Sequence, residues 1–159
     1  MTRTGIGYDA HRFAAGRKLV LGGVEIPHER GLAGHSDADV ISHAIADALL
    51  GAIGERDIGH HFPNTDEAIR GISSLEILRQ IGKILATKNC RIANLDATLI
   101  AEAPKIGPHL EAMREKIATA LGIEVARVGI KATTNEGMGA IGRGEGMAAM
   151  AVASVEKKE

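Results

Sequence analysis

Arg3-Thr4-Gly5-Ile6-Gly7-Tyr8-Asp9-Ala10-His11-Arg12-Phe13 reads as a strand over residues 3–13. Residues i and i+2 of a strand project from one face, so this reading sets Asp9 and His11 side by side. Any third partner has to come from an element packed over that face. The stretch that meets this need begins after Asp37, a good N-cap residue, where Val40, Ile41, Ala44, Ile45, Ala48, Leu49 and Ile53 recur at helical spacing. That helix carries His43, and a sheet covered by helices follows as the expected architecture.

Outward from this pair, residues 18–27 form a glycine-rich ribbon in which Gly22-Gly23 between short apolar runs signals a hairpin. Residues 28–36 read as a polar loop. Gly51-Ala52-Ile53-Gly54 stops the first helix, and residues 57–66 form a loop dense in polar and turn-forming side chains, with His60 and His61 as loop residues. A second helix opens at Ser73 or Ser74 and ends near Asn89, followed by a strand over 91–101. Pro104 and Pro108 bracket a turn before a third helix over 110–121, which Gly122 closes. Strands over 127–134 and 147–155 complete the chain. The fold class is α+β: a mixed sheet of about four main strands, three long helices layered on one face, and a short N-terminal hairpin. No repeat or linker interrupts the pattern, so residues 1–159 are expected to form a single catalytic domain.

Bulk properties narrow the function. The 159 residues carry 19 basic and 20 acidic side chains, a net charge of -1 with no basic face, which argues against nucleic acid as a partner. The single cysteine, Cys90, cannot close an internal disulfide, and no apolar run approaches the roughly 20 residues that span a bilayer. No secretory h-region precedes the first strand, so a cytoplasmic location and no membrane partner are expected. Gly is 20 of 159 residues while Trp is absent, so the core is aliphatic and the backbone has many points of tight turning or close approach.

Asp9, His11 and His43 together form a candidate zinc site. A structural zinc is closed by four protein ligands, whereas a catalytic one keeps a position open, so three ligands point toward chemistry. The same pattern also suits a satisfied polar pair, and structural context separates the two. Asp39, His43 and Asp47 share one helix face at i, i+4 and i+8, so Asp47 could orient the His43 imidazole from behind, or simply stand on a solvated face. A second constellation spans residues 131–146. Its five glycines let a backbone approach a ligand, Thr133 and Thr134 bring hydroxyls, Lys131 and Arg143 positive charge, and Glu136 a hard oxygen ligand suited to magnesium. A Lewis-acidic zinc beside an anion cradle with a magnesium ligand suits a diphosphate substrate.

The segments 7–13, 22–27, 35–40, Asp57-Ile58-Gly59, Phe62-Pro63-Asn64-Thr65-Asp66, Ala103-Pro104-Lys105, 131–136 and 142–146 closely resemble the family of 2-C-methyl-D-erythritol 2,4-cyclodiphosphate synthases. Nearly the whole chain takes part in the match. The resemblance implies an enzyme of the non-mevalonate isoprenoid pathway that converts 4-diphosphocytidyl-2-C-methyl-D-erythritol 2-phosphate into the cyclic diphosphate and CMP. It further implies a homotrimer with active sites between subunits, zinc on Asp9, His11 and His43, and magnesium or manganese on Glu136.

Transition-state stabilisation would fall to His35 and Thr134. The methylerythritol phosphate would contact Ser36, Asp57, Ile58, Gly59, the loop Phe62, Pro63, Asn64, Thr65 and Asp66, and Arg143. The cytidine end would lie against Ala101, Glu102, Ala103, Pro104, Lys105 and Ile106 with Ala132, Thr133 and Thr134. Two positions depart from the family pattern: Ala140 stands where many relatives carry Phe, and Asn64 where Asp is frequent. Two other classes use some of the same features. A zinc-dependent phosphohydrolase would release a linear phosphate, and a non-catalytic nucleotide-binding module would be indifferent to metal.

Overall fold

In the computed structural model, which describes residues 1–157, the opening segment is the strand β1, Thr2–Ala14. The short strands β2, Leu19–Leu21, and β3, Val24–Ile26, pair as an antiparallel ribbon whose turn, Gly22-Gly23, has positive φ at both residues. That backbone is the one a two-residue hairpin needs and glycine supplies without strain. Within residues 28–36, expected as loop throughout, Gly31–Leu32 forms a two-residue strand, β4, against Phe13 and Ala14. Two residues are too few for an alternating pattern to show.

The long helix α1, Val40–Ala52, is capped by Asp39 and not by Asp37. The Asp39 carboxylate accepts from Ser42 N and Ser42 Oγ and also takes both turn amides of the ribbon, Gly22 N at 2.9 Å and Gly23 N at 2.7 Å. One fully buried acid thereby fastens the hairpin to the helix start. Its burial pushes the carboxyl upward, and its hydrogen-bond donors oppose that shift. Residues 57–66 contain a one-turn helix, α2, Ile58–His61, which holds His60 and His61, and a 3-10 turn over Glu67–Ile69 follows. Helix α3, Ser74–Thr87, starts behind the cap Ser73. Strand β5, Cys90–Ile100, helix α4, Leu110–Leu121, and strand β6, Val128–Thr133, come next, with Gly122 ending α4 in the left-handed conformation. The one-turn helix α5, Gly139–Gly142, leads into the last strand, β7, Gly146–Lys157.

The five-stranded sheet has the order β4-β1-β7-β5-β6; only the β5–β6 pair is parallel. Strand β7 runs antiparallel to β1 from Thr2↔Glu156 to Arg12↔Gly146, and antiparallel to β5 on its other side. Four main strands and three long helices on one face match the sequence-based expectation. Alternation along the strands makes the two faces unlike. Met147, Ala149, Ala151, Ala153 and Val155 of β7 point into the helix layer and are buried, as are Leu95, Ala97 and Leu99 of β5. Ile41, Ile45 and Leu49 of α1 are fully buried, each contributing about 2 kcal/mol of apolar burial.

Glycine decides how close α1 comes. A Cβ at Gly7 would lie 1.9 Å from the Ala44 carbonyl oxygen, and one at Gly5 would lie 2.1 Å from that of Ala48. The helix therefore rests directly on the β1 backbone, which brings His43 over Asp9 and His11. The opposite sheet face is uncovered: Ile6 (66% exposed), Tyr8 (59%), Met150 (44%) and Val152 (44%) form one apolar cluster, with Tyr8 paired to Met150 and Ile6 to Val152.

Candidate active site

Asp9, His11 and His43 converge as the strand–helix contact requires, and their three ligand atoms lie within 4.8 Å of one another. Asp9 Oδ2 is 2.8 Å from His11 Nε2 and 3.1 Å from His43 Nδ1, and the two imidazole nitrogens are 3.4 Å apart. A tetrahedral ion with bonds of about 2.0 Å holds its ligand atoms about 3.3 Å apart, so the trio matches a zinc-sized ion. The remaining imidazole nitrogens also fit a metal: His11 Nδ1 donates to the Ala33 carbonyl at 2.6 Å, and His43 Nε2 faces Ser74 Oγ at 2.9 Å and Ser36 Oγ at 3.2 Å. Each ring thus turns one nitrogen to the protein and the other to the common point.

Burial acts against charge on Asp9, but hydrogen bonds and charge from His11 and His43 hold its carboxyl down at about 2. Burial likewise disfavours charge on His11, and Asp9 outweighs it, raising the imidazole above its ordinary value. The pair is an anion held ready beside nitrogen donors. Asp47 does not stand behind His43. Its Oδ1 accepts from Ile58 N at 2.7 Å and fixes the start of α2. Burial raises its carboxyl, and the Asp57 and Asp9 charges add to that.

The trio opens into a cleft of about 210 Å³. Of the side chains expected to meet the methylerythritol phosphate, Ser36, Ile58, Gly59, Phe62 and Asn64 line it, together with His35. Asp57 opens instead toward a shallower hollow beside Ile6, Asp47 and Arg56. Pro63, Thr65 and Asp66 belong to the same surface turn, where Asp66 caps the 3-10 turn through Ala68 N and its carbonyl lies 3.4 Å from His35 Nε2. Gly34, Ile69, Ile72 and Ile77 line the cleft without having been singled out in the sequence. Ile69 and Ile72 are isolated in a polar stretch and Ile77 belongs to the apolar pattern of α3, so none carries a signal that separates a cleft wall from core. Arg17 is also new: its guanidinium donates to the carbonyls of Gly34 at 2.8 Å and Ser36 at 2.7 Å, clamping the His35–Ser36 segment.

A second hollow, of about 280 Å³, lies at the ends of β5 and β6. Ala101, Glu102, Pro104, Lys105 and Ile106 line one side, with Ala132, Thr133 and Thr134 on the other. Ala103 precedes Pro104 through a cis peptide and does not face it. Glu102 Oε1 accepts from Asn135 N at 2.9 Å and Gly137 N at 3.4 Å, and Thr134 Oγ1 from Glu136 N at 3.1 Å, so the exposed Glu136 stands on a braced turn. Lys131, expected in the anion cradle, points to the open sheet face and bonds Asp96 at 2.6 Å. A strand residue adjacent to buried Ile130 must face away from the core, which the cradle reading overlooked. Arg143 pairs with Glu145 at 2.9 Å.

The two hollows lie at one end of the sheet but apart. In register, Asp9 pairs with Ala149, Ala149 with Leu99, and Leu99 with Ala132, so the trio and the β6 hollow are three strand spacings apart, about 14 Å.

The YgbB family profile matches residues 2–156. A 2-C-methyl-D-erythritol 2,4-cyclodiphosphate synthase of Alkaliphilus metalliredigens is 61% identical over 153 residues, 96% of each chain. Among solved structures, the bifunctional IspDF from Campylobacter jejuni superposes with a TM-score of 0.96 at 38% identity over 100% of this chain, which spans 43% of that longer one. IspF from Plasmodium falciparum, solved as a CDP complex, gives a TM-score of 0.87 at 34% identity, with 99% and 97% of the two chains covered. With full-length likeness in both sequence and fold, the chain belongs to the YgbB family, that of the 2-C-methyl-D-erythritol 2,4-cyclodiphosphate synthases.

Proposed function

We infer that this enzyme converts 4-diphosphocytidyl-2-C-methyl-D-erythritol 2-phosphate into 2-C-methyl-D-erythritol 2,4-cyclodiphosphate and CMP, acting as a phosphorus–oxygen lyase in isoprenoid biosynthesis. The observation that carries the reading is the convergence of Asp9, His11 and His43 on one point inside a cleft, in a chain whose relatives bear that activity. An oxygen of the 2-phosphate forms a bond to the β-phosphorus, the bond from that phosphorus to the bridging oxygen breaks, and CMP departs with the bridging oxygen. No water is consumed and no protein nucleophile is needed, because attacker and target sit in one ligand.

The chain's own groups then position and shield. Ser36, with Ile58 and Gly59, would hold the methylerythritol phosphate; His35 and Thr134 would donate to phosphoryl oxygens as charge builds on them. Asp57, Pro63, Thr65, Asp66 and Arg143 stay in the proposed substrate set by resemblance. By resemblance the residues around β5 and β6 would take the cytidine end, and a nucleotide ligand is in keeping with the CDP complex of the Plasmodium relative. Zinc on the trio and magnesium or manganese on Glu136, when bound, would neutralise the non-bridging oxygens of the diphosphate.

Two metals flanking one diphosphate must lie within a few ångströms of each other. About 14 Å separates the trio from Ala132 near the end of β6, and Glu136 stands on the turn beyond that strand, so a neighbouring copy would supply Glu136 and the nucleotide side. A head-to-tail contact whose rotation closes forms a ring, as a homotrimer would, and the apolar cluster on the bare sheet face gives it a surface. Residues 1–159 are taken as one catalytic domain. No described helix is long and apolar enough to cross a membrane, and we place the enzyme in the cytoplasm.

The test is incubation with the diphosphocytidyl substrate and magnesium, following CMP release and the cyclic product by phosphorus NMR, with and without a chelator. Cyclic product that disappears on chelation is expected, and H43A should lose both bound zinc and about 100- to 1,000-fold in turnover, the scale of removing a principal electrostatic stabiliser. A linear phosphate product, or a zinc-free H43A enzyme with full activity, would overturn the reading.

A further inference from the structure

Ser74 is fully buried, polar, and outside the catalytic set, and it stands at the first turn of α3 facing His43. Its hydroxyl donates to Asp37 Oδ1 in a short hydrogen bond, while Asp37 Oδ2 accepts from Ser74 N at 3.0 Å. A serine hydroxyl has one proton. With that proton on Asp37, Ser74 Oγ can only accept from His43 Nε2, 2.9 Å away, so Nε2 carries the imidazole proton. The lone pair is then left on Nδ1, the nitrogen that faces Asp9 and His11.

We propose that Asp37 and Ser74 form a positioning relay, carboxylate to hydroxyl to imidazole, that fixes the tautomer and ring orientation of His43 for metal binding. This rests on the metal-site reading of the trio. Asp37 suits the task because it is itself held from several sides: its backbone N donates to Ile72 O at 3.2 Å, and its Oδ1 also accepts from Asp39 N at 3.2 Å. Its charge lies at the N-terminal end of a 14-residue helix, where an anion is favoured. Ser36 Oγ makes a longer approach to His43 Nε2, at 3.2 Å, and accepts from Ala38 N. It can therefore turn toward a bound phosphate while Ser74 keeps the ring in place. The relay also joins the helix bearing His43 to the segment bearing His35 and Ser36, because Asp37 follows Ser36 directly.

The experiment measures zinc affinity of the full-length wild type, S74A and D37N by competition with a chromogenic chelator, and the visible spectra of the cobalt-loaded proteins. S74A is expected to bind zinc about 10- to 100-fold more weakly, the usual scale for losing a group behind a metal-bound histidine, with a changed cobalt spectrum. D37N keeps the serine but weakens its acceptor, and should move both readouts in the same direction; it carries the test if S74A does not fold. Folded variants with wild-type zinc affinity and an unchanged cobalt spectrum overturn the relay alone. A wild-type protein that takes up no zinc overturns the metal site and the relay with it.

Discussion

Asp47 lies on the α1 face that carries His43, but its carboxylate reaches the backbone of Ile58, and the imidazole is served by Ser74. Periodicity along α1 makes the face legible; a serine 31 residues away, delivered by the packing of α3, leaves no pattern in the sequence. Asp9 and His11 were legible for the opposite reason, since a period of two in a strand suffices to align them. The carboxyl of Asp47 is raised by burial and by the charges of Asp57 and Asp9, so its folded-state pKa lies above the unfolded value of 3.8. Rising pH removes the proton from the unfolded chain first, so folding stability is lost between 3.8 and the raised value and stays lost above it. Asp47→Asn retains an oxygen acceptor for Ile58 N without the charge. In metal-free protein its denaturant midpoint should exceed that of wild type at pH 7, and the difference should vanish at pH 3. A lower midpoint at pH 7 would show that the charge itself is needed.

At the scale of elements, the site depends on how near α1 lies to β1. Gly7 makes that possible, because any Cβ there would sit 1.9 Å from a backbone oxygen, which cannot swing aside as a side chain can. Gly7→Ala must push the helix off the strand, separating His43 from Asp9 and His11. Overpacking of this kind costs about 3 kcal/mol, and zinc affinity should fall at least tenfold in parallel; unfolding in denaturant and the chelator competition read the two effects. Retained affinity in a destabilised variant would mean that the helix tilts about His43 rather than lifting. The long helices and main strands were legible because they carry sustained periods, 3.6 in α1, α3 and α4 and two in β1 and β7. Two-residue β4 and one-turn α2 were not, being shorter than any period. The helix cap shifted from Asp37 to Asp39: both are acids before an apolar run, but Asp39 directly precedes Val40 and accepts from Ser42 N as well as from the ribbon amides, while Asp37 is taken up by Ser74.

For the whole molecule, the sheet has one face sealed by helices and one left open, which carries an apolar cluster with Ile6 and Val152 at paired positions. A chain that carries the Asp9, His11 and His43 trio, with the hollow at the end of β6 about 14 Å away, behaves, under the proposed assembly, as two half-sites of different active sites. Introducing charge on the open face separates these halves without touching either. The double variant M150E/V152E removes apolar surface that is already solvent-accessible in the isolated chain, so the fold and the trio should persist. Sedimentation is expected to show trimers for the wild type and monomers for the variant, zinc should still bind with wild-type affinity because all three proposed ligands come from one chain, and CMP release should fall by at least about 100-fold. Like charges brought into a contact core disfavour association far more than they disturb an exposed surface, which is why the oligomeric state should respond before stability does. A monomer that keeps full turnover would place both half-sites in one chain, and a variant that remains trimeric would assign the contact to another surface.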